Sequence, residues 1–229
     1  MEYAELYEKR MWWKSLLLFA ALLGSAFVSL DHFANSPLLG ELIEDLALML
    51  LAVCFFGKQL LAALRDLFRG NRRRHLNRLF FLFLLFVTVF LANNILLSSL
   101  LSSIFVNNQH EAELDAVVMT ASPFLVFLCS SLFAPVLEEI IFRFGLFRLF
   151  NLWNRWAAHI LCALLFAFLH IWQFLLIDHD WIQLVVMLPY CVMGLCMSVL
   201  YEKTENLCFP VFLHMLLNGV GIVFSHRAV

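Results

Sequence analysis

Apolar runs of about 20 residues recur from one end of this 229-residue sequence to the other. A helix of that length is long enough to cross the hydrocarbon core of a membrane. The composition agrees, because 63% of the residues are hydrophobic and only 14% are charged, unlike the balance of a soluble domain. The sequence therefore predicts an all-α protein. We expect one transmembrane domain over residues 1–229, a polytopic bundle of about seven (six to eight) spans with an intramembrane polar cavity.

Short polar segments separate the predicted spans. These spans cover residues 15–30, 42–57, 79–106, about 117 to 150, 157–177, 181–201 and 207–224. Pro135 lies inside the fourth span, where its missing N–H and its ring are expected to kink the helix. The region expected to carry catalytic motifs is about 117–224, the second half of the chain.

Residues 58–78 form the most basic segment, with seven Lys or Arg and a single Asp. A basic loop beside two spans is typical of the cytoplasmic side. We therefore predict a cytoplasmic loop at 58–78, a cytoplasmic amino terminus and a place in the cell (inner) membrane. A nucleic-acid patch is the less favoured alternative, and no nucleic-acid partner is expected. The six cysteines have no CxxC spacing, which indicates buried thiols rather than a metal cluster.

Three charged residues stand together inside the fourth span, at Glu138, Glu139 and Arg143. Charges in a membrane span are costly, and they usually face the bundle interior and mark a functional site. Glu139 and Arg143 are four residues apart and share a helix face, whereas Glu138 is turned about 100° away. The spacing predicts an ion pair between Glu139 and Arg143 and leaves Glu138 for chemistry.

Polar side chains in two later spans fall at a similar depth. His170 lies about 21 Å from the inner turn before it, and His214 and Asn218 lie about 12 and 18 Å from theirs, at 1.5 Å per residue. Glu139 lies about 18 Å from the same side. An acid, a base and an amide at one depth on three helices predict a shared cavity.

Each of these residues also has a structural interpretation. A single Glu–Arg pair can fix helix packing, and a single His in a span more often packs or bonds a neighbouring helix. The coincidence of several such groups favours a site. Four other histidines are predicted to lie at span ends without a catalytic role: His110, His159, His179 and His226.

The ordered motifs resemble a known family. E-E-x-x-x-R covers Glu138 to Arg143, F-x-x-x-H covers Phe166 to His170, and H-x-x-x-N covers His214 to Asn218, all within 81 residues. This set is similar to that of the CPBP intramembrane proteases, also called the CAAX prenyl protease 2 or Abi-like family. The resemblance implies an intramembrane endopeptidase that hydrolyses a peptide bond of a membrane-associated protein or peptide.

The resemblance also implies roles for the motif residues. Glu138 would act as general base and His170 would hold the attacking water. His214 and Asn218 would donate to the oxyanion, and Arg143 would hold Glu139 in a supporting ion pair. This activated-water chemistry needs no metal, and we expect none. The alternative is a zinc site of Glu138, His170 and His214, which would justify the term metalloprotease-like, although the H-E-x-x-H helix is absent.

A non-enzymatic membrane protein is the competing hypothesis. Buried acids and histidines would also serve a proton-coupled transporter or a bacteriocin-immunity-type protein. No inverted repeat is seen among the spans, and every motif residue of the protease family is retained, so the sequence favours the enzyme. The expected partners are a membrane-associated substrate and the lipid bilayer.

Overall fold

The computed structural model describes residues 11–25, 37–69, 72–92 and 123–227. These residues form seven helices and no strand, which confirms the all-helical class. We label them α1 (Trp12–Ser25), α2 (Pro37–Arg69), α3 (Arg72–Leu91), α4 (Pro123 to Asn151), α5 (Arg155–Leu176), α6 (Met187–Thr204) and α7 (Cys208–Arg227). A short 3₁₀ turn, Trp181–Leu184, precedes α6.

Five described segments are long and apolar enough to cross a membrane. They are Leu42–Phe68, Arg73–Leu91, Phe124–Asn151, Arg155–Leu176 and Trp181–Thr204. Two shorter apolar helices, Trp13–Ser25 and Cys208–Ile222, accompany them. Together they agree with the predicted number of about seven. The predicted spans 15–30, 79–106 and 117–150 each extend partly outside the described residues.

The basic segment differs from its prediction as a loop over 58–78. Helix α2 continues to Arg69 and α3 begins at Arg72, so most of the segment is helical. Leu, Ala, Arg and Lys are strong helix formers. The charged ends of the Arg and Lys side chains can extend to water while their aliphatic parts stay against the helix. Charge therefore marks the end of a span here without ending the helix.

Helix α4 alternates between α and π geometry. Its π segments are Phe127–Phe133 and Ile140–Phe147, and the α segment Ala134–Glu139 lies between them. Pro135 is at the start of that α segment. A π segment inside an α-helix widens the turn and often occurs at functional sites. Glu138 and Glu139 are therefore presented from the last turn before such a segment.

The core lies around α4, which packs against α1, α2, α5 and α7. Aromatic rings fill these interfaces. Phe142 meets Phe166 of α5 with ring centroids 5.4 Å apart, and Phe144 meets Phe56 of α2 at 5.3 Å. Helices α5 and α6 approach closely at Gly194, where a Cβ would lie 3.0 Å from the Cα of Ala163. The outer faces of α2 and α3 remain exposed and apolar, as expected toward lipid.

Candidate active site

Glu139 and Arg143 form a fully buried ion pair on α4. Arg143 Nε lies 3.0 Å from Glu139 Oε2, and both side chains are 0% exposed. The guanidinium also lies against the rings of Phe142 and Phe166, 5.7 and 5.2 Å from their centroids. The predicted pairing is confirmed, and the aromatic faces give the cation further favourable contact where water is excluded.

His214 of α7 joins the two carboxylates. Its Nδ1 lies 3.0 Å from Glu139 Oε1, and its Nε2 lies 3.9 Å from Glu138 Oε2. The Glu138 side chain is 22% exposed, in contrast to the buried Glu139. Glu138 is therefore the carboxylate of this pair that a small molecule can reach, and it lies beside an imidazole.

His170 of α5 is held by its own helix and by a ring of α6. Its Nδ1 lies 2.8 Å from the carbonyl oxygen of Phe166. A carbonyl can only accept a hydrogen bond, so Nδ1 carries the proton and Nε2 of the neutral ring keeps its lone pair. The imidazole stacks on Tyr190, with centroids 4.4 Å apart and planes at 21°.

Phe166 connects the two histidines. Its ring centroid is 4.7 Å from that of His170 and 5.8 Å from that of His214. The ring is fully buried. The first residue of the F-x-x-x-H motif thus acts as a spacer, and its backbone carbonyl fixes the tautomer of the last.

Asn218, one turn beyond His214 on α7, bonds the backbone of α4. Its Nδ2 donates to the carbonyl oxygen of Ser130 over 2.8 Å. An asparagine amide has two N–H groups, so this contact occupies one of them and fixes the direction of the other. A Cβ on Gly219 would lie 4.0 Å from Ser131 Oγ, an ordinary van der Waals distance.

The structure brings most of the predicted residues together. Ion-pair contacts join Glu138, Glu139, Arg143 and His214. The ring of Phe166 lies between those of His170 and His214, and Asn218 follows His214 by one turn of α7. Tyr190 and the Ser130 carbonyl were not predicted. An aromatic residue in a span has no distinguishing sequence signal, and a backbone carbonyl has no side-chain signal at all.

The zinc alternative finds no support among the described residues. In those ranges no group of three His, Cys, Asp or Glu side chains lies close enough to hold a metal ion. The predicted trio is Glu138, His170 and His214, and the ring of Phe166 lies between the two histidines. The expectation that catalysis needs no metal stays a prediction.

His159 and His179 lie near helix ends, as predicted. His159 of α5 bonds Ser198 Oγ through Nδ1 at 2.8 Å and lies 3.4 Å from Glu202 Oε2. His179 has a positive φ of 57° in the turn after α5. His110 is outside the described residues, and nothing is described for the side chain of His226.

Comparison with known proteins finds one family model and three relatives. Residues 120–220 match the family model described as type II CAAX prenyl endopeptidase Rce1-like. The YdiL protein of Bacillus subtilis, named provisionally as a membrane peptidase, is 30% identical over 113 residues, which are 49% of this chain and 41% of YdiL. The membrane-embedded CAAX protease MroQ of Staphylococcus aureus is 30% identical over 136 residues, 56% of this chain and 51% of MroQ.

A third relative is the UPF0177 protein YvdC of Lactococcus lactis, which is 31% identical over 103 residues, 45% of this chain and 36% of YvdC. The matching region thus spans between 36% and 51% of the length of these relatives. No solved structure matches the chain.

Proposed function

We propose that the chain is an intramembrane endopeptidase, on the ground that residues 120–220 match the family model of the type II CAAX prenyl endopeptidases. Its substrate is a membrane-associated protein or peptide, and a water activated by Glu138 and His170 hydrolyses the peptide bond. One observation carries the proposal. A partly exposed Glu138 lies 3.9 Å from His214 Nε2, beside a second glutamate that is already neutralised by Arg143.

In this proposal Glu139 and Arg143 support the site, and Glu138 takes part in the reaction. Two carboxylates and one guanidinium leave one negative charge in a buried setting, and such a charge is costly unless it is compensated. His214 faces both carboxylates, with Nδ1 3.0 Å from Glu139 Oε1 and Nε2 3.9 Å from Glu138 Oε2. In the proposed role of oxyanion donor, it presents an N–H on Nε2 toward Glu138 and the substrate.

The reaction follows from these positions. Glu138 accepts a proton from water as the water oxygen attacks the carbonyl carbon, and the Nε2 lone pair of His170 orients that water. The oxyanion that develops accepts from Nε2–H of His214 and from the second N–H of Asn218. Glu138 then gives its proton to the leaving nitrogen, and the peptide C–N bond breaks.

Glu138→Gln tests the role of the general base. The amide keeps the size of the side chain but cannot accept the proton, so hydrolysis should fall by about 10²–10⁴-fold. The measurement is quantitative peptidomics of membrane fractions from cells that express wild type, Glu138→Gln or Glu205→Gln. The last is a matched control, since Glu205 is an exposed residue at the far end of α6.

The expected outcome is a set of cleavage products present with wild type and Glu205→Gln and absent with Glu138→Gln. Equal cleavage by Glu138→Gln would contradict the assignment of the base. An absence of any difference between wild type and cells without the protein would contradict the protease and favour the non-enzymatic alternative. Purified protein in liposomes, given a peptide found in this way, should reproduce the result.

A further inference from the structure

Pro135 interrupts the hydrogen bonding of α4 at a defined carbonyl. In the π segment before it, the N–H of Ala134 donates to the carbonyl of Cys129, five residues earlier. Continued by one residue, the same register would require the N–H of residue 135 to donate to the carbonyl of Ser130. Proline has no N–H, so the Ser130 carbonyl is left without that bond.

The side chain of Asn218 donates a hydrogen bond to this Ser130 carbonyl. Its Nδ2 lies 2.8 Å from Ser130 O, and the two residues are 88 positions apart in the chain. A carbonyl without a partner in a partly buried helix turn is unfavourable, so a donor from another helix is stabilised there. Had residue 135 carried an N–H, that donor would compete with Asn218 for the same carbonyl.

We infer that Pro135 is a positioning residue: by withholding its backbone N–H it reserves the Ser130 carbonyl for Asn218 and so fixes the direction of the amide beside the site. The effect on turnover rests on the proposed function. The effect on the Asn218 hydrogen bond does not. Pro135 acts through Asn218 and touches no reacting atom in this assignment.

A second proline of the chain follows the same rule away from the site. Pro210 lies in the first turn of α7, where the N–H of Val211 donates to Leu207 O, four residues earlier. The corresponding acceptor of residue 210 is the carbonyl of Asn206, which lies 3.2 Å from Thr204 Oγ1, while the single hydrogen of that hydroxyl has a nearer acceptor in Leu200 O at 2.7 Å. In both cases a polar side-chain atom lies within hydrogen-bond distance of the carbonyl that proline leaves open. Pro210 therefore provides a matched control.

The test separates the N–H group from the proline ring. In Pro135→Ala the new N–H can donate to Ser130. Nonsense suppression with lactic acid at position 135 keeps the methyl side chain of alanine. It replaces the backbone N–H by an ester oxygen, which has no hydrogen to donate. These two variants differ in the donor and not in the side chain. Pro210→Ala makes the same change as the first variant at the other proline.

The readouts are the side-chain amide signals of Asn218 and the steady-state kinetics. The amide signals are measured by NMR on the full chain labelled with ¹⁵N-asparagine and assigned by their loss in Asn218→Ala. In Pro135→Ala the downfield amide proton of Asn218 should move upfield, and kcat should fall about tenfold with little change in KM. The lactic acid variant and Pro210→Ala should keep the wild-type amide signal and kcat.

Two results would overturn the inference. One is an unchanged Asn218 signal in Pro135→Ala, and the other is an equal loss of the signal in the lactic acid variant, which would assign the effect to the ring. If wild type cleaves no peptide while the amide signals respond as expected, the proposed function fails and the positioning by Pro135 stands.

Discussion

At the scale of single residues, two adjacent glutamates have different environments. Glu139 is completely buried between Arg143 and His214, whereas Glu138 retains 22% exposure. Breaking a buried ion pair of this kind typically costs about 3–5 kcal/mol, because the remaining charge has no compensation. Glu139 and Arg143 are therefore closed to solvent, and Glu138 is the carboxylate of the two that a bound molecule can reach.

Tyr190 gives a prediction at the same scale. Its ring supports one face of the His170 imidazole, and a stacked aromatic pair contributes about 0.5–1.5 kcal/mol beyond its buried area. Tyr190→Leu should lower kcat about three- to tenfold by releasing the imidazole, and Tyr190→Phe should retain most of the activity. Initial rates in liposomes, with a peptide identified by peptidomics, check this.

Tyr201→Leu is the matched control for that comparison. Tyr201 is a buried tyrosine of the same helix that packs on Phe147, with centroids 5.8 Å apart, and not on His170. Its loss should lower the thermal midpoint without changing kcat of the folded protein. Equal losses of kcat for Tyr190→Phe and Tyr190→Leu would show that stacking is not what matters at this position.

At the scale of elements, the site depends on the spacing of α5 and α6. Gly194 lets the two helices meet, because a Cβ there would stand 3.0 Å from Ala163 Cα and 3.4 Å from a ring carbon of Phe166. The first neighbour is backbone and cannot turn away, so the helices would have to separate. Phe166 and Tyr190, which contact His170 from the two helices, would then be displaced relative to each other.

Gly194→Ala should therefore reduce both stability and activity. Overpacking in a dense interior typically costs about 1–3 kcal/mol, and we expect a lower unfolding midpoint in detergent together with reduced kcat. Gly57→Ala is the control in α2, where a Cβ would meet a single side-chain atom, Val53 Cγ1, at an ordinary 3.5 Å. A Gly194→Ala protein as stable and active as Gly57→Ala would refute the importance of this crossing.

At the scale of the whole molecule, polar contacts join the helices at the end of the bundle that carries the basic segment. Arg78 of α3 donates to Asp66 of α2 over 2.7 Å, and Asn206, before α7, donates to both Asp66 and the carbonyl of Ala63 at 2.9 Å. A separate pair, Arg155 and Glu202, joins the start of α5 to the end of α6. These contacts fix the order of the helices at this end.

The two clusters should differ in their contribution to stability. Arg78 is 5% exposed and lies over the ring of Phe209, whereas Arg155 is 52% exposed. Exposed ion pairs contribute little because water and salt screen them. Thermal unfolding in detergent should show a clearly larger fall in midpoint for Arg78→Gln than for Arg155→Gln. A larger fall in midpoint for Arg155→Gln than for Arg78→Gln would contradict the role of Arg78 in holding α2, α3 and α7 together.

Local spacing accounts for the parts of the site that were predictable. The Glu139–Arg143 pair follows from a separation of four residues on one helix, and the spans follow from the length of the apolar runs. The segment 58–78, predicted as a loop, is mostly helical, because charged side chains do not prevent a helix from continuing. The predicted oxyanion donors and general base stay predictions.

The sequence alone determined that this chain is an all-helical membrane protein, and which polar residues stand inside its spans. Those properties depend on hydrophobicity and helical period, which can be read from the local order of residues. Only the tertiary structure decided that His214 bridges both glutamates, that Tyr190 supports His170, and that Asn218 takes the carbonyl left open by Pro135. Each of these contacts joins two helices, and their distances depend on how closely and at what rotation the helices pack.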